Sequence, residues 1–178
     1  MRSTVGCRIM GGVWHAPPQV PRLKGARTMA RDSAPPAGSW TRTEAGSHLR
    51  GRRSRDTRPE GALRHAVHRL GLRYRLQRRV APRCTADFVL PPHHVAVFVD
   101  GCFRHGCPVH GPKALRGPNA SLWTAKIETN RARDLRNTEA ATDAGWSVVR
   151  IWECEVRSSV SAEQAALRVA AACPSEPD

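Results

Sequence analysis

Acidic residues are scarce in this 178-residue chain: 15 Asp and Glu stand against 29 Lys and Arg, for a formal net charge of +14. That balance argues against a cationic partner and for an acidic one. Lysine is scarcer still, since 26 of the 29 basic residues are arginine. Arginine-favouring codons would account for part of that excess, so position matters more than the total. Residues 52–83 hold eleven Arg against Asp56 and Glu60, a local net of +9. A solvated basic face is the ordinary reading of such a run, but the candidate site next to it favours phosphate contact. Long apolar stretches are also missing. Met1 to Pro17 contains no apolar core of about 7–15 residues, and nowhere does a run approach the ~20 residues of a membrane span. The expectation is a cytoplasmic, reducing setting with no membrane partner. In that setting clustered Cys and His bind metal more often than cysteines pair.

The length fits one domain of about 100–150 residues plus a tail. Residues 1–50 are rich in Pro, Gly, Ser, Arg and Thr without a sustained apolar period. They are expected to be a disordered basic extension, either an arm or an upstream-start addition, with Met10 and Met29 as alternative starts. The folded domain is assigned to 51–173 and a tail to 174–178. No internal repeat is present. Thr57-Arg-Pro-Glu60 fits a capping box, followed by a helical face of Ala62, Leu63, Ala66, Val67 and Leu70 and a stop at Gly71. Leu72, Tyr74 and Leu76 alternate with Arg73, Arg75 and Gln77, which predicts a half-buried strand. A short strand is predicted at 87–90. The wholly apolar run 95–99 is predicted to be central in a sheet. Residues 101–120 read as a loop. A long helix over 121–144 carries Leu122, Ile127 and Leu135 inward, and a strand at 146–152 follows. A last helix, capped by Ser161-Ala-Glu-Gln164, closes the domain. This order gives an α/β fold with a mixed sheet covered by helices.

Three constellations carry chemistry. Cys102, Cys107 and His110, spaced C-x4-C-x2-H, supply three soft ligands in one loop, and Cys154 supplies a fourth from a distant strand end. Together they satisfy tetrahedral zinc. Cys154 alone would read as a buried small hydrophobe, and Cys84 is an alternative fourth ligand. Cys7 and Cys173 read as unpaired. Asp87 and Asp100 sit at strand ends, where carboxylates are often turn formers but can also bind a hard cation such as Mg²⁺. The metal count leaves His105 over. It is either structural or, beside a carboxylate, able to activate water near neutral pH. Phe103, set among Gly, Cys, Arg and His, is poorly placed for a core, and Trp123 is as readily core as surface. Aromatics beside a basic surface can wedge between bases.

Residues 54–157, about 60% of the chain, resemble the very-short-patch-repair (Vsr) mismatch endonucleases. The matching segments are Asp-Thr-Arg-Pro-Glu60, Ala-Asp-Phe-Val-Leu90, Val-Phe-Val-Asp-Gly-Cys-Phe-Arg-His-Gly-Cys107, Trp123 with Lys-Ile127, Asn130-Arg-Ala-Arg-Asp134, Gly-Trp146 and Ile-Trp-Glu-Cys154. The resemblance implies a restriction-endonuclease-like fold that nicks duplex DNA 5′ to the T of a T·G mismatch left by deaminated 5-methylcytosine. It implies that Asp87 binds catalytic Mg²⁺ with the Val99 carbonyl as second contact, and that His105 activates water. Asp100 would fill a second active-site position, with Glu60 and Asp134 as supporting acids. Cys102, Cys107, His110 and Cys154 would form the structural zinc site, and Phe103 and Trp123 would intercalate at the mismatch. Two departures stand out. Arg104 replaces the usual Trp of a Phe-Trp-His wedge, and Ala86 replaces the usual proline before the metal-binding aspartate. An arginine stacks on bases and contacts phosphate but unstacks a base step less well. The resemblance further implies a monomer associated with the nucleoid, linked functionally to mismatch-repair proteins and a cytosine-5 methyltransferase. The alternatives are a restriction-like or defence nuclease on the same fold without T·G specificity and, ranked lower, a non-catalytic zinc-containing DNA-binding protein.

Overall fold

The computed structural model describes residues 40–43 and 55–174, all of which fall in one compact unit, Ala34–Asp178. The extension expected over 1–50 therefore lies outside the described residues apart from 40–43, as does most of the short tail. The first helix, α1 (Arg58–Arg69), starts with Pro59 in its first turn and is followed by Gly71 at φ +81, where a side chain would be strained. Its capping differs from the expected box. Glu60 accepts hydrogen bonds from the Thr57 hydroxyl (2.7 Å) and the Asp56 N–H (2.9 Å), and Thr57 makes no side-chain cap bond of its own. Leu70, expected inward, lies at the C-cap and is exposed.

Four strands follow in the order β1 (Arg75–Ala81), β2 (Cys84–Leu90), β3 (Val95–Asp100) and β4 (Ser147–Trp152). β2 runs antiparallel to β1 and β3, and β3 and β4 are parallel, so the sheet is mixed. β3 is central, as its unbroken apolar run requires. β1 begins later than its alternation suggested. Leu72 and Tyr74 pack against the core ahead of it, while Leu76 stays exposed on this edge strand beside Arg75, Arg78 and Arg79. Charged side chains on an edge strand discourage pairing with another sheet.

The parallel step from β3 to β4 needs a crossover, and α3 (Ala120–Asp143) provides it. One sheet face packs Phe88, Leu90, Val95, Val97 and Ile151 against α1 and the last helix, α4 (Ser159–Ala171). The other face packs Ala86, Val89, Ala96 and Phe98 toward Ala141 of α3. α4 is capped three residues earlier than expected, at Ser158, by reciprocal bonds between Ser158 and Ser161. In α3, Leu122 and Ile127 are buried but Leu135 is exposed. That helix keeps a polar face toward a cleft, and this narrows its apolar stripe. The predicted 101–120 loop contains one further element, the single-turn helix α2 (Cys102–His105).

No helix among the described residues is long and apolar enough to cross a membrane.

Candidate active site and metal centre

The site begins where the β2–β3 ladder opens. Its last antiparallel pair is Phe88 with Val97. One residue beyond, Asp87 projects a carboxylate that accepts the Val99 N–H at 2.8 Å in place of a ladder bond. Burial pushes the Asp87 carboxyl up to about 6, against the pull of that N–H, and the nearby Glu60 and Asp100 add to the rise. Among the described residues no ion pair reaches it. A half-buried carboxylate with no ion pair, beside two more acids, has the donor chemistry that suits a hard divalent ion.

At the end of β3, Asp100 is buried and gripped by Arg150 of β4. Nε and Nη2 donate to its two oxygens, each at 2.7 Å. The same guanidinium lies 3.4 Å from an Asp134 oxygen, donates to the Asp134 carbonyl and Thr138 hydroxyl, and stacks over Phe98 at 5.1 Å. Asp134 in turn holds His105, its Oδ2 lying 2.5 Å from Nδ1. Burial pushes the Asp134 carboxyl up, but the His105 hydrogen bond and the charges of Arg150 and Arg133 outweigh it and keep it below the usual carboxylate range. A carboxylate on Nδ1 fixes the proton there and leaves Nε2 as the basic nitrogen. His105 Nδ1 is also 3.4 Å from Asp100.

α2 carries His105 and is held by α3. Its end leaves carbonyls without helical partners. Asn130 donates to the Arg104 carbonyl (2.8 Å) and Arg131 to the Gly106 carbonyl (2.6 Å), with a longer contact to that of His105. Gly106 has φ +65, and a Cβ there would come within 2.5 Å of the Arg131 guanidinium, so no other residue fits without displacing the clamp.

Behind this turn the four predicted soft ligands converge. Donor atoms of Cys102, Cys107, His110 and Cys154 all lie within 4.8 Å of one another. Zinc–sulfur bonds of about 2.3 Å set tetrahedral edges of ~3.8 Å, and the Cys107 and Cys154 sulfurs are 3.9 Å apart. Burial opposes ionisation of Cys107, but the backbone N–H groups of His110 and Val109 outweigh it and lower the thiol. Burial pushes the neighbouring Cys102 thiol up to about 12. Cys84, the alternative ligand, lies elsewhere, its thiol against the Asn137 carbonyl at 3.5 Å.

Asp87, His105, Asp134 and Arg150 open onto one cleft of about 1130 Å³, which Phe103, Arg104 and Trp123 also line. Phe103 and Trp123 meet edge-to-face at 4.9 Å. Glu60 is at the cleft wall, but its two oxygens are engaged at the start of α1. Of the residues expected from the sequence, the cleft thus brings together Glu60, Asp87, Val99, Phe103, Arg104, His105, Trp123 and Asp134, while Asp100 is held by Arg150. Asn130, Arg131 and Arg150 were missed. Asn130 had a signal, because it precedes Asp134 by one helical turn in an otherwise solvated helix. Arg150 had none among so many arginines.

The sequence pattern described as DNA mismatch endonuclease Vsr matches residues 39–110. The type II nicking enzyme V.XorIIP of Xanthomonas oryzae pv. oryzae is 44% identical over 118 residues, covering 65% of this chain and 83% of the relative. The type II nicking enzyme V.NaeI of Lentzea aerocolonigenes is 37% identical over 139 residues, 74% of this chain and 82% of its own. DNA mismatch endonuclease Vsr of Escherichia coli is 32% identical over 112 residues, 62% of this chain and 69% of that protein. With these matches, the fold and cleft are those of a DNA endonuclease. The chain belongs to the Vsr family.

Two outcomes follow from the charges. Asp87 binds its proton more tightly folded (about 6) than unfolded (3.8), so its penalty on stability is absent below 3.8, grows with rising pH and is complete above about 6. Asp87→Asn, melted in EDTA, should gain on the order of 2–3 kcal/mol at pH 7.5 and little at pH 4; an equal effect at both pH values would contradict the burial argument. Arg150→Met should cost about 3 kcal/mol in urea denaturation and slow DNA cleavage roughly 100-fold, because it leaves buried Asp100 and half-buried Asp134 without their shared cation and His105 loosely held.

Proposed function

We propose that this endonuclease nicks duplex DNA on the 5′ side of the T in a T·G mismatch, with Mg²⁺ as catalytic cofactor and Zn²⁺ as structural ion. The observation that carries the reading is a carboxylate-held histidine sharing one cleft with a half-buried aspartate that makes no ion pair, five basic side chains and two half-buried aromatics. Asp87 and the Val99 carbonyl would hold Mg²⁺. When bound, that ion would polarise the scissile phosphate and stabilise charge on the leaving 3′-oxygen. His105 would take a proton at Nε2 from the attacking water as its oxygen bonds to phosphorus and the P–O3′ bond breaks, giving a 5′-phosphate and a 3′-hydroxyl. Asp134 orients the ring, and Arg150 offsets the negative charge of Asp100 and Asp134. Glu60 supports the site indirectly, by fixing the start of α1. Lys126, Arg104 and Arg133 line the cleft and would contact phosphates.

Zinc fits the Cys102, Cys107, His110 and Cys154 set because four soft protein donors leave no open position, which makes its role structural. It would tie the turn carrying His105 to the end of β4. Phe103 and Trp123 would stack on bases beside the mismatch. A DNA lesion left by methylcytosine deamination implies a cytosine-5 methyltransferase upstream and repair proteins downstream as functional partners. A second reading, a nuclease without T·G preference, is favoured by one feature: Arg104 stands where a wedge aromatic is expected.

A nicking assay separates these. With Mg²⁺ and end-labelled duplexes, a single nick 5′ to the mismatched T is expected in T·G duplexes, at least tenfold faster than any cut in the C·G control. It should be lost in EDTA and in Asp87→Asn. Equal cutting of both duplexes would replace the mismatch reading with the second one. Cys107→Ala should lose bound zinc and melt at least several degrees lower; a zinc-free variant of unchanged stability and activity would show that the cluster staples nothing.

A further inference from the structure

Trp40 lies ahead of the catalytic core, and the chemistry above gives it no task. It is 46% exposed, unusual for so large a ring in a chain with five Trp, three Phe and one Tyr. Its indole meets Trp123 edge-to-face, centroids 5.0 Å apart at 73°. Trp123 thus makes edge-to-face contacts with two rings, Phe103 and Trp40, and all three line the cleft that contains Asp87 and His105.

The backbone beside Trp40 is held from a distance. The Thr41 N–H donates to Asn119 Oδ1 at 2.9 Å, and Asn119 Nδ2 donates to the Thr41 carbonyl at 2.8 Å. Asn119 is buried and occupies the N-cap of α3, yet its side chain makes no cap bond there. An unused asparagine cap forgoes about 1 kcal/mol of helix stability. The side chain instead grips the residue next to Trp40 at both polar groups, which fixes where the indole sits while leaving nearly half of it uncovered. A ring needed merely to tether the segment would be buried instead.

We propose that Trp40 is a base-stacking residue, the third ring of a nucleobase-binding surface shared with Phe103 and Trp123. It would compensate for Arg104, which supplies charge but no apolar ring at the neighbouring position. The proposal rests on the reading of the cleft as a binding site for distorted duplex DNA.

The test uses the full chain carrying Asp87→Asn to prevent cutting, with duplexes that contain T·G or C·G and 2-aminopurine beside the variable pair. Adding Trp40→Ala should weaken binding of the T·G duplex roughly ten- to a hundredfold. It should also cut the fluorescence rise from unstacked 2-aminopurine by at least half. Trp40→Phe should stay within about threefold of the parent in affinity. Binding within twofold and an unchanged fluorescence signal for Trp40→Ala would overturn the proposal. So would full rescue by Trp40→Leu, which fills space without stacking. Failure of the mismatch reading looks different: the parent would then treat T·G and C·G alike, and the Trp40 effect would be read on both duplexes.

Discussion

A guanidinium between two carboxylates is the interaction on which this site depends. Glu60, Asp87, Asp100 and Asp134 converge at the open end of the sheet, and Arg150 neutralises two of them with a bidentate pair to Asp100 and a longer contact to Asp134. Like charges brought together in a partly dry pocket repel strongly. Without the cation, Asp100 and Asp134 would compete for the same imidazole nitrogen, since both already lie within 3.4 Å of His105 Nδ1. With it, Asp134 has the shorter bond and His105 a single orientation. Among the described residues Asp87 and Glu60 make no ion pair, and burial together with the neighbouring acids raises the Asp87 carboxyl, a donor set that suits a divalent cation.

The second requirement is mechanical. His105 stands at the end of a helix of four residues, too short to hold its own geometry. Two other structures grip it. From one side Asn130 and Arg131 satisfy the backbone carbonyls at its end. From the other, Cys102 and Cys107 bracket the turn and point toward Cys154. A metal there would close a chain loop of 47 residues between Cys107 and Cys154. By chain entropy alone, a loop of that size constrains the unfolded state by on the order of 4 kcal/mol.

How much of this could be read from the sequence depended on range. The central strand was legible because burial on both faces leaves an unbroken apolar run, and the soft ligands because three of the four lie in nine residues. The edge strand was misjudged at Leu76, since alternation says which residues share a face but not whether anything covers that face. Leu135 misled for a related reason: a helix that turns polar groups toward a cleft need not bury every leucine. The single turn at 102–105 has too few residues to display a period. Arg150 and Trp40 were invisible, because their meaning lies in partners 50 and 83 positions away. The resemblance pointed to His105 and Asp134 separately, and their pairing across 29 positions became visible only in the fold.

The parallel pairing of β3 with β4 has a consequence for the cell that makes this enzyme. Asp87, Asp100, His105 and Asp134 are all translated before β4, while Arg150 and Cys154 come with it and just after it. A nascent chain that still lacks that strand carries the acids and the histidine without the charge that organises them or the fourth thiol. Synthesis order therefore leaves the organising cation and the last soft ligand until the acids and the histidine are already made.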